Sequence, residues 1–121
     1  MTILKQRRVL VVDDEPKVLR FLEVALKLRG YYVLTTTSGK EALELVSSEK
    51  PDVMLLDIVM PDLNGYEVLK QLRKFSEIPV IAISASPAIQ NDIVKHGADY
   101  FIMKPFDPNN LASVISRLLD R

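Results

Sequence analysis

Three carboxylates, a hydroxyl and an ammonium follow directly on short apolar runs in this sequence: Asp13 with Asp14, Asp57, Ser84 and Lys104. Two unit charges about 4 Å apart repel by roughly 4 kcal/mol at an effective dielectric near 20, so three gathered carboxylates require a cation or a proton. An oxygen-only ligand set selects a hard ion. Magnesium, which keeps several waters and shares its shell with phosphate, suits such a set best, with manganese as a substitute. The ion would let an anionic side chain approach an anionic phosphoryl donor, and a carboxylate is a competent nucleophile for that transfer, giving an acyl phosphate. Lys104 would then pair with one phosphoryl oxygen as a point charge, and the Ser84 hydroxyl would donate to another. Taken singly, each residue has an ordinary explanation. Asp14, ahead of Glu15 and Pro16, is a plausible helix cap, Asp57 a loop carboxylate, Ser84 a turn residue and Lys104 a solvated charge. Only their convergence argues for chemistry.

Convergence depends on the elements between them. Short apolar runs alternate five times with segments of helical period, which implies parallel strands joined by helical crossovers, an α/β class with helices on both faces of the sheet. The strands are predicted at Val9–Val12, Tyr32–Thr35, Val53–Leu56, Val80–Ile83 and Tyr100–Met103, and Tyr32–Thr35 is expected to be the least buried of them. The first helix starts at Asp14, Glu15 and Pro16, turns Val18, Leu22, Ala25 and Leu26 inward, and stops at Gly30. Ser38 and Glu41 form a capping-box pair for the second. The third begins near Asn64 and Gly65 and faces the sheet with Tyr66, Leu69 and Leu72; the fifth begins at Asp107 and Pro108 and buries Leu111, Val114, Ile115 and Leu118. Between Pro87 and His96 a short fourth helix has only Ile89, Ile93 and Val94 to bury. In open α/β sheets sites form beyond the carboxyl ends of the strands, where the five polar residues stand.

Composition narrows the function classes. At 121 residues the chain fits one domain, residues 1–121, with a sizeable core. Basic and acidic residues number 16 each, so nothing in the bulk charge favours nucleic acid or anionic lipid. The absence of cysteine removes disulfides, thiolate nucleophiles and Cys-based zinc sites, and agrees with a reducing compartment. Met1–Arg8 lack the apolar core of a signal peptide and no stretch is long enough to cross a bilayer, so a cytoplasmic location without membrane contact is expected.

The acidic pair Asp13 and Asp14, the stretch Asp57-Ile58-Val59-Met60-Pro61-Asp62-Leu63-Asn64-Gly65, Ser84-Ala85 and Lys104-Pro105-Phe106 together resemble the receiver domain of two-component response regulators, over essentially the whole chain. The resemblance implies a doubly wound, flavodoxin-like sheet of five parallel strands in the order 2-1-3-4-5. It implies that Asp57 is the phosphoacceptor, that Asp13, Asp14, Asp57 and the backbone carbonyl of Val59 hold magnesium, and that Ser84 and Lys104 are the switch hydroxyl and the phosphate-binding lysine. The bond before Pro105 is expected to be cis, which would aim the lysine. Phe101 occupies the switch-aromatic position, where many relatives have tyrosine, so a signal relayed there is steric; Tyr100 should point the other way. The span from Ser84 to Lys104 is slightly shorter than the family norm, and the difference falls on the fourth helix. Val59 and Ser86 lie where relatives often orient a hydrolytic water, so self-dephosphorylation is expected to be slow. The implied donor is a phosphohistidine on a sensor histidine kinase or phosphotransfer protein. The implied output is a change in the face of the fourth helix, fifth strand and fifth helix, which is also the expected homodimer face. Without a helix-turn-helix or catalytic domain after Arg121, the chain is read as a single-domain regulator or a piece of a longer one, not itself binding nucleic acid.

Rival readings fit less well. A haloacid-dehalogenase-type phosphatase needs a second acid two residues after its nucleophile, and that position is Val59. A flavodoxin-like flavin carrier would meet repulsion between its phosphate and Asp13 and Asp14. A serine hydrolase lacks its nucleophile elbow, and the single histidine, His96, beside Gly97, reads as a surface or capping residue. Gly39-Lys40 lacks phosphate-loop spacing and reads as the start of the second helix. The serious alternative is a receiver-like docking module that is never phosphorylated, against which stands the cost of keeping such a charge cluster together.

Overall fold

Each predicted apolar run forms a strand whose ends lie within a residue of expectation: β1 (Arg8–Val12), β2 (Tyr32–Thr36), β3 (Val53–Asp57), β4 (Val80–Ser84) and β5 (Tyr100–Met103). The computed structural model describes residues 6–59 and 64–120; the Met60-Pro61-Asp62-Leu63 part of the motif lies outside them. Between the strands run α1 (Pro16–Lys27), α2 (Gly39–Glu49), α3 (Gly65–Leu72) and α4 (Gln90–Lys95), with α5 (Pro108–Leu119) after β5. All neighbouring strands pair in parallel, in the order β2-β1-β3-β4-β5. Strands one and three therefore lie side by side, and the connections that follow them leave in opposite directions, toward β2 and toward β4.

Residue alternation along the buried strands builds two cores. Val9, Val11, Val53, Leu55, Ile81 and Ile83 face Leu19, Leu22 and Leu26 of α1 and Leu111, Val114 and Ile115 of α5. Leu10, Val12, Met54, Leu56, Val80 and Ala82 face Ala42 and Val46 of α2, Val68, Leu69 and Leu72 of α3, and Ile93 of α4. Side-chain caps fix three helix starts, each contributing about 1 kcal/mol. Ser38 Oγ accepts from the Glu41 amide at 3.1 Å, Asn64 Oδ1 from Glu67 at 2.9 Å, and Asp107 Oδ1 from Asn109 at 2.8 Å.

Several local expectations are corrected. The least buried strand is β5, where only Ile102 is buried, and not β2. In α1 the third inward residue is Leu19; Val18 and Ala25 are half-buried. In α3 Val68 takes the sheet-facing position expected of Tyr66, which is half-buried at the rim with its ring edge against His96. Val94 is 48 % exposed, leaving Ile93 as the only buried residue of α4. Leu118 is half-buried beside the α5 core. Among the described residues no helix is long and apolar enough to cross a membrane.

Candidate functional site

Register alone brings the predicted residues to one end of the sheet. Val12 pairs with Leu56, so Asp13, the next residue on, comes beside Asp57, the last residue of β3. Ser84, the last residue of β4, pairs with Met103, and the Lys104 amide continues that ladder to the Ser84 carbonyl at 2.9 Å. Asp13, Asp57 and Ser84 are all buried, at 2 %, 5 % and 2 % exposure. Oxygens of Asp13, Asp14 and Asp57 lie within 4.8 Å of one another. Lys104 Nζ reaches both buried acids, Asp13 Oδ2 at 3.1 Å and Asp57 Oδ2 at 3.5 Å. Their other oxygens accept backbone amides, Glu15 N to Asp13 Oδ1 at 2.9 Å and Val59 N to Asp57 Oδ1 at 3.2 Å. The ordinary reading of Asp14 as a helix cap is removed, because Glu15 holds that position in α1 and makes no side-chain cap bond.

The electrostatics show a site short of positive charge. Burial, followed by the neighbouring Asp13 charge, raises the Asp57 carboxyl to about 6 despite the opposing pull of Lys104 and the Val59 amide. Burial lowers the Lys104 ammonium, but the hydrogen bonds and charges of Asp13 and Asp57 outweigh it and leave its pKa above the usual lysine value. One ammonium against three carboxylates is the imbalance a divalent cation corrects. The donors are all oxygen, which fits a hard ion, so Asp13, Asp14 and Asp57 could hold a metal.

Asp14, Asp57 and Lys104 open on a cleft of about 320 Å³ lined also by Val59, Ser84 and Ser86, the last two joined through the Ser86 amide and Ser84 Oγ at 3.1 Å. Phe101 is not part of its lining; it packs against the core beneath α2 to α4, whereas Tyr100 lies on the opposite side with Val114 and Leu118. The Lys104–Pro105 bond is cis. His96 caps the end of α4 at the surface, and Gly39 starts α2.

The sequence marks Gly65 as the start of the third helix but not its close approach to the site, and the bonds of Arg73 were missed. Gly65 N donates to the Ile58 carbonyl at 2.7 Å, and a Cβ on Gly65 would fall 2.5 Å from Ile58 Cα, so α3 starts against the residue that follows Asp57 only because position 65 has no side chain. The Asn64-Gly65 pair was the available signal. Arg73 binds the carbonyl of Gly97, 24 residues along the chain, as well as that of nearby Ile78, and the longer reach left no local signal.

A family model for the response regulator receiver domain matches residues 9–116. A probable transcriptional regulator ycf27 of Guillardia theta is 42% identical over 118 residues, covering 96% of this chain and 46% of that protein. The response regulator SaeR of Staphylococcus aureus is 40% identical over 115 residues, covering 93% of this chain and 50% of that protein. The chain thus spans about half the length of the curated relatives it matches. Among solved structures, the receiver domain of the Francisella response regulator 1452 superposes with a TM-score of 0.90 at 34% identity, covering 96% of this chain and 98% of that one.

Proposed function

This chain belongs to the response regulator receiver domain family of two-component signalling, and from that premise we propose that it is one domain that accepts a phosphoryl group on Asp57 and passes the change to a partner. The observation that carries the reading is Lys104 reaching the buried Asp13 and Asp57 together, with the Ser84 hydroxyl on the adjacent strand end. Receiver domains partner with histidine kinases or phosphotransfer proteins, and the donor here would be a phosphohistidine on such a protein.

Asp13, Asp14 and Asp57, with the Val59 carbonyl, would hold Mg²⁺ or a substituting Mn²⁺, which when bound offsets the charge of carboxylate and phosphoryl oxygens. Asp57 is largely ionised at neutral pH even with its pKa near 6, so its Oδ2, once released from Lys104, can attack phosphorus as the P–N bond to the donor imidazole breaks. Lys104 moves from pairing two carboxylates to pairing a phosphoryl oxygen, and Ser84 donates its hydroxyl to another. Drawing Ser84 inward biases two conformations of the α4–β5–α5 face, the output surface and the surface for homodimer formation, with Phe101 acting sterically. Val59 and Ser86, lying where relatives often place groups that orient a hydrolytic water, make self-dephosphorylation slow; Val59→Asn, which adds a side chain able to hold that water, should shorten the phosphorylated lifetime. A cytoplasmic location, with no membrane or nucleic-acid contact by this chain, completes the reading.

Incubation with magnesium and acetyl phosphate, followed by intact mass, tests it. The parent should gain one phosphoryl group and Asp57→Ala none. An unmodified parent would instead favour the docking module.

A further inference from the structure

Among the described residues, helix α4 is fastened most firmly at its carboxyl end. At its carboxyl end the Arg73 guanidinium, just past α3, donates to the Gly97 carbonyl from Nε at 3.2 Å and from Nη2 at 2.8 Å. The same group donates to the carbonyls of Ile78 at 2.8 Å and Ser76 at 3.1 Å, and pairs with Asp99 at 3.2 Å. One planar fork thereby ties the α3–β4 loop to the turn between α4 and β5. Gly97 adopts a φ of +113°, and a Cβ there would sit 3.2 Å from Arg73 Cγ and Nε, so the two residues are seated on each other. Every amide from His96 to Asp99 is bonded, that of Asp99 to the β4 residue Val80, and Ile93 and Ala98 are buried. Tyr66 adds a second attachment: its ring meets His96 edge-on at 5.0 Å, while its phenol, raised by burial and by the Asp92 hydrogen bond, holds the middle of α4.

The amino end is held by less, with Ile89 half-buried against the α2–α4 core. The 3-10 turn Pro87–Ile89 that leads into α4 has no side-chain cap bond and no buried residue. Its upstream link is Ser86, whose amide holds Ser84 Oγ. A displacement of Ser84 therefore reaches α4 through its loosely held end.

We propose that Arg73 is a positioning residue that makes the carboxyl end of α4 the fixed pivot of the switch, so that the active state swings Pro87–Gln90 and leaves Lys95–Asp99 in place. The inference rests on the phosphorylation reading. It narrows the output surface to the turn that leads into α4, since only there do side chains change position relative to β5.

Amide hydrogen exchange on the full chain in magnesium, with and without beryllofluoride, tests the pivot in the parent, Arg73→Met and Arg73→Lys. In the parent, exchange at Ala88, Ile89 and Gln90 should change by about fivefold or more and at His96–Asp99 by less than about twofold. In Arg73→Met the response should spread into His96–Asp99. Arg73→Lys, which keeps the charge but not the fork, should follow Arg73→Met. A parent response concentrated at His96–Asp99, or the parent pattern retained in both variants, overturns the pivot. Ile58 and Val59 amides report ligand binding itself. Silence there overturns the phosphorylation reading and the pivot with it, whereas a response there with the wrong distribution overturns the pivot alone. The parent measurement decides even if a variant does not fold.

Discussion

Strands β1 and β3 bury every residue except Arg8, with neighbours on both edges and helices on both faces. At the β5 edge Tyr100 and Met103 are exposed, and α4 beside it contributes one buried side chain. The phosphoacceptor candidate belongs to the first region and the proposed responder to the second. Chemistry that depends on fixed distances between charges is placed where packing holds the backbone on all sides, while a surface that must adopt two states is placed where few contacts have to be broken. Ser84 and Lys104 stand between, at the ends of β4 and β5, and are the residues through which one region can act on the other.

Lys104→Met would break this division most severely. It removes the ammonium shared by Asp13 and Asp57, and phosphorylation by acetyl phosphate should slow by about 10²-fold or more, as for loss of a preorganised electrostatic partner. Because Lys104 opposes the upward shift of Asp57, that carboxyl should titrate higher still in the variant, measurable by NMR. A slowing under about threefold would place the lysine outside the reaction.

Gly65→Ala attacks the packing that fixes the central region. The new Cβ would overlap the Ile58 backbone, so α3 must retreat from the residue after Asp57, at about 3 kcal/mol and several degrees of Tm. Phosphorylation should slow in parallel, since Asp57 shares that segment. Gly30→Ala, where a Cβ would meet nothing but φ is +90°, should lose stability through backbone strain alone; equal slowing of phosphorylation in that variant would show that overlap with Ile58 is not the cause.

The two regions were also unequally legible in the sequence. Doubly covered strands are written as continuous apolar runs, so β1, β3 and β4 and the polar residues at their ends could be read directly, and the site assembled from register. The edges could not. Tyr-Phe-Ile-Met in β5 reads as a buried run, and only the strand order reveals that Tyr100 and Met103 lie at an edge, whereas the threonines of β2 suggested exposure for a strand with more buried residues. In α3, a spacing through Tyr66, Leu69 and Leu72 fits a helical face as well as the observed Val68, Leu69 and Leu72 does. Arg73 reaches the Gly97 carbonyl, 24 residues away, which no local pattern encodes.

The charge balance of the central region sets its pH dependence. Asp57 titrates near 6 in the fold against an ordinary value of 3.8, so the folded state binds its proton more tightly than the unfolded chain does. Stability from this group is therefore greatest at low pH and falls as pH rises through about 4 to 6, then levels off. In metal-free buffer Asp57→Asn should be more stable than the parent by about 2 kcal/mol at pH 7.5, with the gain vanishing near pH 4. Excess magnesium should raise the Tm of the parent and have little effect on the variant. A parent that gains stability with pH over this window would mean that the carboxylate is already compensated.

The smallest effect probes the edge. Val94 and Ile93 are adjacent and equally apolar in sequence, yet Ile93 is fully buried in the core of the α2–α4 side while Val94 is exposed. Six residues make fewer than two turns, so α4 offers too little periodicity for its inward face to be read, and burial alone separates the two. Val94→Ser should change stability by less than about 0.5 kcal/mol and leave phosphorylation of Asp57 unchanged, as expected for a surface residue. Denaturant unfolding with an unchanged m-value checks the first part. If Val94→Ser instead lost stability only when the protein is concentrated, the exposed valine would be covered by a second copy, and this edge would be an assembly surface even before phosphorylation.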